Sequence, residues 1–406
     1  MDISKIGGGI CAPKGYMASG IHCGFRKNRD KKDLGIIVSD KECSVAAVFT
    51  QNKVKGAPIA VDKEHIKDGK IRAVICNSGN ANTCAVNGIE VAENTCRLLA
   101  EALDIKKEDV FVSSTGVIGE PLKFETFEEG VPRAVKELSY TGSDDFAHAI
   151  MTTDTVKKEA AYSFKIAGKE VKIGGVAKGS GMIHPNMATM LCFITTDADI
   201  TPEMLQKALN RDIKDSFNQI SVDGDTSTND TVCLMANGMA ENILIDKEDE
   251  NYRTFCDALA TLTKQLAKGV VKDGEGATKM IECTVTKAPD KQIARRISKA
   301  VITSTLFKSA IFGEDANWGR ILCAVGYSGA DFDINFVDVY LRSKIGSILV
   351  CKDGSYYEFD EDMAAEILTD DEIFVDIDLN QGLYDAKAWG CDLSYEYVRI
   401  NGDYRT

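Results

Sequence analysis

Residues 174–198 read GGVAKGSGMIHPNMATMLCFITTDA. A glycine-rich loop holding Lys178 runs into an apolar stretch, Leu191–Thr195, whose length and composition are those of a strand covered on both faces. That implies a sheet enclosed by other layers. A small residue followed by a hydroxyl, Ala188-Thr189, stands at the strand's entry, where a side chain can be presented at the edge of a sheet. If the Ala188-Thr189 peptide were cut, Thr189 would carry a free α-amine, so that one residue supplied both nucleophile and general base. Taken by themselves, a threonine opening a strand and a lysine beside glycines are equally ordinary β-propensity and solvated charge.

Outward from this stretch, Gly35–Val38, Ser44–Phe49, Ile71–Cys76 and Val110–Ser113 also read as buried strands. Glu90–Ile105 and Tyr252–Lys268 carry apolar residues at steps of three and four and read as amphipathic helices. Glu203–Phe217 follows Thr201-Pro202, a cap and first-turn pair, and is a third helix. Beyond about Met280 the pattern becomes α+β: a segment Ile281–Lys287, a helix from Ile293 to Ala310, and alternating strands at Phe332–Leu341, Ile373–Leu379 and Cys391–Ile400. The acidic tract Asp360–Glu372 reads as a solvated face.

Composition narrows the chemistry. The chain has 406 residues, 44% hydrophobic and 27% charged, enough for two or three cores. Its charge of −14 argues against duplex nucleic acid. No apolar run approaches membrane-span length and the start lacks a signal-peptide layout, so a cytoplasmic protein without membrane attachment is expected. Thirteen cysteines are scattered without a Cys-x-x-Cys, several in apolar stretches (Cys76, Cys192, Cys233, Cys323), and read as mostly buried, reduced thiols. Four histidines, none beyond His184, leave few sources for a metal site or a histidine triad, and no metal is expected. Asp223, Asp225 and Asp230 in SVDGDTSTND do not have calcium-loop spacing and are assigned to turns or charge balance. The GGGI and PKG opening lacks a Gly-Lys-Ser/Thr ending, so no nucleotide site is assigned.

The stretch KGSGMIHPNMATMLCFITTDA from Lys178 resembles the self-cleavage signature of the ornithine acetyltransferase family. GGGICAPKGYMASGIHCGFR from Gly7, CNSGNANTC from Cys76, SSTGVIGEPL from Ser113, MTTDT from Met151, SVDGDTSTND from Ser221, DGEGATK from Asp273 and the terminal INGDYRT resemble family segments in the same order. The resemblance spans essentially the whole chain. It implies an α/β fold, a layered α-β-β-α sandwich of the type shared with self-cleaving aminopeptidases, with a C-terminal α+β subdomain. Cleavage between Ala188 and Thr189 would give an α-chain, 1–188, and a β-chain whose part 189–280 completes the sandwich and site. The C-terminal subdomain would be 281–406, its tail reaching the site. Residues 1–188 hold 26 basic and 24 acidic side chains, and 189–406 hold 22 and 38. Complementary charge is therefore an expected part of the attraction between the chains.

The family activity is acetyl transfer from N-acetylornithine to glutamate in arginine biosynthesis. By resemblance Thr189 is the nucleophile, Thr115 and Gly116 form the oxyanion-stabilising pair, and Thr152, Lys178, Thr189, Glu275, Asn401 and Thr406 contact substrate. By charge alone, and not from the resemblance, Lys178 suits a carboxylate and Glu275 an ammonium. No cofactor is expected. Family members divide over acetyl-CoA as a second acetyl donor, and no residue separates the two kinds; the bifunctional form is the expectation. Assembly of two α- and two β-chains is implied. Two other readings stand beside this one: a self-processing amidohydrolase or aminopeptidase, in which water resolves the acyl-enzyme, and an inactive metabolite-binding protein.

Overall fold

The computed structural model describes residues 3–184 and 190–403. The chain divides into two compact units: Met1–Gly179, Pro185–Asn218 and Thr226–Leu266 form the first, and Ser180–His184, Gln219–Asp225 and Ala267–Thr406 the second.

The first unit is built on one nine-stranded sheet. Its strands in chain order are β1 (Ser4–Ile6), β2 (Tyr16–Ile21), β3 (Leu34–Phe49), β4 (Lys70–Asn80), β5 (Val110–Val117), β6 (Lys158–Ile166), β7 (Lys169–Lys178), β8 (Leu191–Thr196) and Thr231–Ala236. The two strands expected at Gly35–Val38 and Ser44–Phe49 are one, β3, with a corner in it. Between Val38 and Cys43 the pairing with β4 slips, Val38 facing Ala73 and Cys43 facing Ile71. Extra residues on one strand bend it and increase its twist. The arm before the corner pairs with β2 and the arm after it with Thr231–Ala236.

Residues of both arms share one apolar core: Ile37, Val74, Cys76 and Phe111 with Val45, Val176, Phe193 and Met235. Tyr16 of β2 reaches across it, its hydroxyl 3.0 Å from the carbonyl oxygen of Thr196 and 3.1 Å from that of Met235. Helix α4 (Ser143–Ile150) adds Phe146, edge-on to Phe193. On the outer face of the first arm, α1 (Ala57–His65), α2 (Gly88–Leu103) and α3 (Phe124–Lys136) bury Val61, Leu99 and Phe127 against Ile36, Ile75 and Val112. Against the second arm, Leu262 and Leu266 of the helix Glu250–Lys272 lie over Gly175 of β7. The layering is thus the α-β-β-α order expected, with the two β layers formed by the two arms of one bent sheet.

In the second unit a seven-stranded sheet runs in the order Ser355–Tyr356, Ser347–Lys352, Asp338–Arg342, Glu372–Asp378, Met280–Ala288, Tyr384–Cys391, Ile220–Ser221. Helices Lys291–Thr303, Thr305–Phe312 and Trp318–Gly326 cover it with Ile297, Val301, Phe307 and Ile321.

Several expectations are corrected. The helix expected from Ile293 to Ala310 breaks at Ser304, whose hydroxyl accepts from Phe307 N–H and starts a new helix. Glu203–Phe217 is helical only over Pro202–Asp212, capped by Thr201 accepting from Met204 N–H, and then tightens into 3-10 turns. Cys391–Ile400 is not a strand: the strand ends at Cys391 and Tyr395–Gly402 is a helix, so its alternation came from one element stopping and another starting. Cys323 is exposed, because Ile321, Ala324 and Val325 take the buried face of its helix. In the acidic tract Asp370 is buried and pairs with Lys344, while its neighbours are largely solvated.

Candidate functional site

Thr115 and Gly116 lie near the end of β5, where the parallel ladder with β4 is irregular: Gly116 faces Gly79, and Asn80 pairs with both Thr115 and Val117. Gly116 has φ +133°, and a Cβ there would collide with the Gly79 carbonyl, so the position admits only glycine. Thr115 is buried, yet its hydroxyl makes no hydrogen bond to any described residue. Side chains brace the turn from beneath. Ser114 Oγ donates to Asn77 Oδ1 at 2.6 Å, Asn77 Nδ2 to Asn80 O at 3.0 Å, and Asn229 Nδ2 to Ser114 O at 2.9 Å.

Lys178 closes β7 rather than lying in the loop, opposite Leu191 in the antiparallel ladder with β8. Thr152 lies in the connection after α4, and its N–H donates to Asp154 Oδ2 at 2.9 Å. Asp154 Oδ1 accepts from Gly179 N–H at 2.8 Å and from the buried Lys158 ammonium. Burial opposes the charge of Asp154, but Lys158, Lys178 and the Gly179 N–H outweigh it and hold the carboxyl down at about 2. Burial lowers the pKa of Lys178, against the pull of Asp154 and Asp230. Lys178 makes no ion pair within 4.0 Å to a described carboxylate. Asp230 is itself buried with Oδ2 unpartnered, and burial pushes its carboxyl well up. Lys178 thus lies in the field of two buried acids, Asp154, which is held ionised, and Asp230, whose charge burial opposes, without an ion pair to either among the described residues.

In the second unit Glu275 is buried, its N–H donating to Ser180 O at 2.9 Å and its Oε2 accepting from Asn401 Nδ2 at 2.8 Å. Asn401 belongs to the helix Tyr395–Gly402, near the C-terminal end. Gly181 passes so close to the Glu275 carboxylate that a Cβ would overlap it. Asp223 accepts from Met182 N–H at 2.6 Å, Ile183 N–H at 2.9 Å and the Tyr397 hydroxyl at 3.3 Å.

The structure therefore brings Thr152 and Lys178 together around Asp154, and Glu275 together with Asn401. Ala188, Thr189 and Thr406 lie outside the described residues. Sequence reasoning missed Asp154, whose one local signal is its place two residues after Thr152, where a carboxylate can accept a backbone N–H. Asp223, assigned to turns or charge balance, does hold a turn, accepting from Asp225 N–H at 3.1 Å, and it also anchors the backbone six and seven residues ahead of Thr189. Among the described residues no group of three or more His, Cys, Asp or Glu side chains could hold a metal ion.

Fold and local geometry together define a layered α/β protein with Thr115 and Gly116 near the end of β5 and Lys178 at the end of β7 in one sheet. The ArgJ family model matches residues 17–406. The arginine biosynthesis bifunctional protein ArgJ of Caldanaerobacter subterraneus subsp. tengcongensis is 52% identical over 400 residues, covering 98% of this chain and 99% of that protein. Among solved structures, arginine biosynthesis bifunctional protein ArgJ from Bacillus halodurans is 44% identical, covering 52% of this chain and 97% of that one, with a TM-score of 0.49. Ornithine acetyltransferase of Mycobacterium tuberculosis, complexed with ornithine, is 34% identical over 46% of this chain and 100% of that one, with a TM-score of 0.43. The chain belongs to the ArgJ family.

Proposed function

We propose that the chain is an acyltransferase of arginine biosynthesis that moves acetyl from N2-acetylornithine to glutamate through an acetyl-Thr189 ester, after self-cleavage between Ala188 and Thr189. The observation that carries this reading is identity of 52% along nearly the full length of a bifunctional ArgJ protein.

The chemistry is a double displacement. The Thr189 hydroxyl attacks the acetyl carbonyl while the Thr189 α-amine takes its proton. Collapse of the tetrahedral intermediate returns that proton to the departing ornithine amine. The glutamate amine then attacks the ester, gives its proton to the Thr189 α-amine, and the C–O bond breaks as that proton passes to the departing Thr189 oxygen. Each step passes through an oxyanion, and preorganised donors at that point supply most of the acceleration. Thr115, with a buried hydroxyl unclaimed by any described residue, and the Gly116 backbone are assigned that role. Lys178 is assigned to a substrate carboxylate, Glu275 to an ammonium, and Thr152, Asn401 and Thr406 to further substrate contacts.

Acetyl-CoA and glutamate are proposed as the second substrate pair, in keeping with the bifunctional name of the relatives. An assembly of two α- and two β-chains and a cytoplasmic location complete the reading; no described helix is long and apolar enough to cross a membrane. Incubation of acetylornithine with and without glutamate is the test. Acetylglutamate with little free acetate is the expected result, whereas glutamate-independent acetate release would establish an amidohydrolase instead. Acetylglutamate formed from acetyl-CoA and glutamate would establish the second activity.

A further inference from the structure

Asp154 occupies an unusual position for a buried acid. Its two oxygens bind two different pieces of chain: Oδ2 takes the N–H of Thr152, and Oδ1 takes the N–H of Gly179, next to Lys178. The buried Lys158 ammonium keeps the carboxylate ionised from a third direction. Both N–H bonds are therefore charge-assisted, and stiffer than neutral ones.

We infer that Asp154 is a positioning residue for substrate binding: a single buried carboxylate fixes Thr152 and Lys178 relative to each other, so that both meet the acetylornithine backbone at once. The inference rests on the reading of Thr152 and Lys178 as substrate contacts. A role in stability alone does not account for the arrangement, because a buried ion pair can be replaced by apolar side chains of similar volume with little or no loss of stability. An apolar pair cannot accept the two backbone N–H groups, of Thr152 and of Gly179, that Asp154 binds. Nor does the acid neutralise the lysine it positions. Lys158 is its ion-pair partner, and Lys178, beyond 4.0 Å from any described carboxylate, keeps its charge available for a ligand.

The test compares Asp154→Asn, the apolar double variant Asp154→Leu/Lys158→Met and Lys178→Met in the full-length protein, with kcat and KM for acetylornithine as readouts. Calorimetric affinity for ornithine reads the same effect if turnover is too slow. Asparagine keeps the shape of the side chain but offers one acceptor oxygen for two N–H groups. Asp154→Asn is expected to raise KM tenfold or more while kcat changes by less. Mere loss of folded enzyme would lower apparent kcat and leave KM alone. The double variant has no unpaired buried lysine but still leaves the Thr152 and Gly179 N–H groups without their acceptor, so its KM is expected to stay raised whatever its melting temperature. Wild-type KM or ornithine affinity in either variant, beside a raised KM in Lys178→Met, overturns the positioning role and leaves the substrate-contact reading standing. Wild-type KM in Lys178→Met overturns both.

Discussion

Lys178 and Leu191 face each other as paired residues of adjacent antiparallel strands. The two strands that flank the Ala188-Thr189 peptide are therefore hydrogen-bonded neighbours, and Leu191–Thr196 is paired on its other side with Thr231–Ala236, which in turn pairs with β3. Strands from after the proposed cut are thus held between strands from before it. Their side chains, Phe193 and Met235 among them, lie in a core shared with Ile37 and Val176. Backbone ladders and apolar burial are not screened by salt, unlike contacts between surface charges. The charge difference between residues 1–188 and 189–406 is accordingly a minor part of what holds them together. In denaturing mass spectrometry the processed protein should give chains of about 20 and about 24 kDa, from 44.1 kDa in total. In native gel filtration these should co-elute even in 1–2 M salt, about three Å of screening length. Separation in salt alone would contradict the shared sheet.

Thr115→Ala should slow acetyl transfer, with about 2.7–4 kcal/mol lost from transition-state stabilisation, the cost typical of one oxyanion donor. Thr115 touches the fold lightly through its hydroxyl, so the melting temperature should stay near wild type. Gly116→Ala is different in kind: its φ of +133° and the approach of Gly79 leave no room for a methyl. It should lower both kcat and thermal stability. Near-normal turnover in Thr115→Ala would remove it from the oxyanion site.

The Glu275 carboxylate is gripped by Asn401 and closely backed by Gly181. Deleting residues 401–406 should abolish ornithine binding by calorimetry while leaving the circular dichroism spectrum intact, because the helix that ends there buries none of its residues. Gly181→Ala should weaken binding too, by pushing Glu275 aside. A truncated protein of full activity would exclude the tail from the site.

Glu282 is buried in the second unit among Lys268, Lys387 and the Trp389 indole N–H. Burial works against its charge, but these three partners outweigh it and lower the carboxyl to about 2. A carboxyl depressed in the folded state adds stability that is complete above the unfolded glutamate value of 4.5 and is lost as pH falls toward 2. The urea midpoint should fall across that window, with Glu282 contributing on the order of 2 kcal/mol. In Glu282→Gln the fall should be shallower; an unchanged pH profile would show that the carboxylate is not paired in solution.

Alkaline pH should act on Lys178. Burial lowers its pKa below the ordinary 10.5, so its positive charge is lost earlier on raising pH than for a solvated lysine. KM for acetylornithine should therefore rise on the alkaline side before pH 10.5. Lys178→Arg, which stays charged, should flatten that limb whatever its effect on absolute affinity. Persistence of the same alkaline rise in the arginine variant would assign it to another group.

Much of this was legible locally. Continuous apolarity marked β8 as a strand buried on both faces, and steps of three and four marked α2 and the helix Glu250–Lys272. The less legible features have a common cause. β3 was read as two strands because Asp40, Lys41 and Glu42, exposed at its corner, look like a loop. Ser304 looked like any polar residue within an amphipathic run, since its capping bond depends on a change of backbone direction. Asp154 was one acid among 62 Asp and Glu residues.

The sequence by itself determined the layered α/β class, the family, and which threonines, glycines, lysine and acids to look for, because periodicity and motif order are written along the covalent chain. Only the tertiary structure decided what those residues have as neighbours. Asp154 reaches Gly179 across 25 residues and Asn401 reaches Glu275 across 126, and no local pattern encodes such a contact. The same holds for the GGVAKGSGMIHPNMATMLCFITTDA stretch. Its apolar end announced a buried strand, but that this strand pairs with chain from both sides of the proposed cut follows from the sheet's order alone.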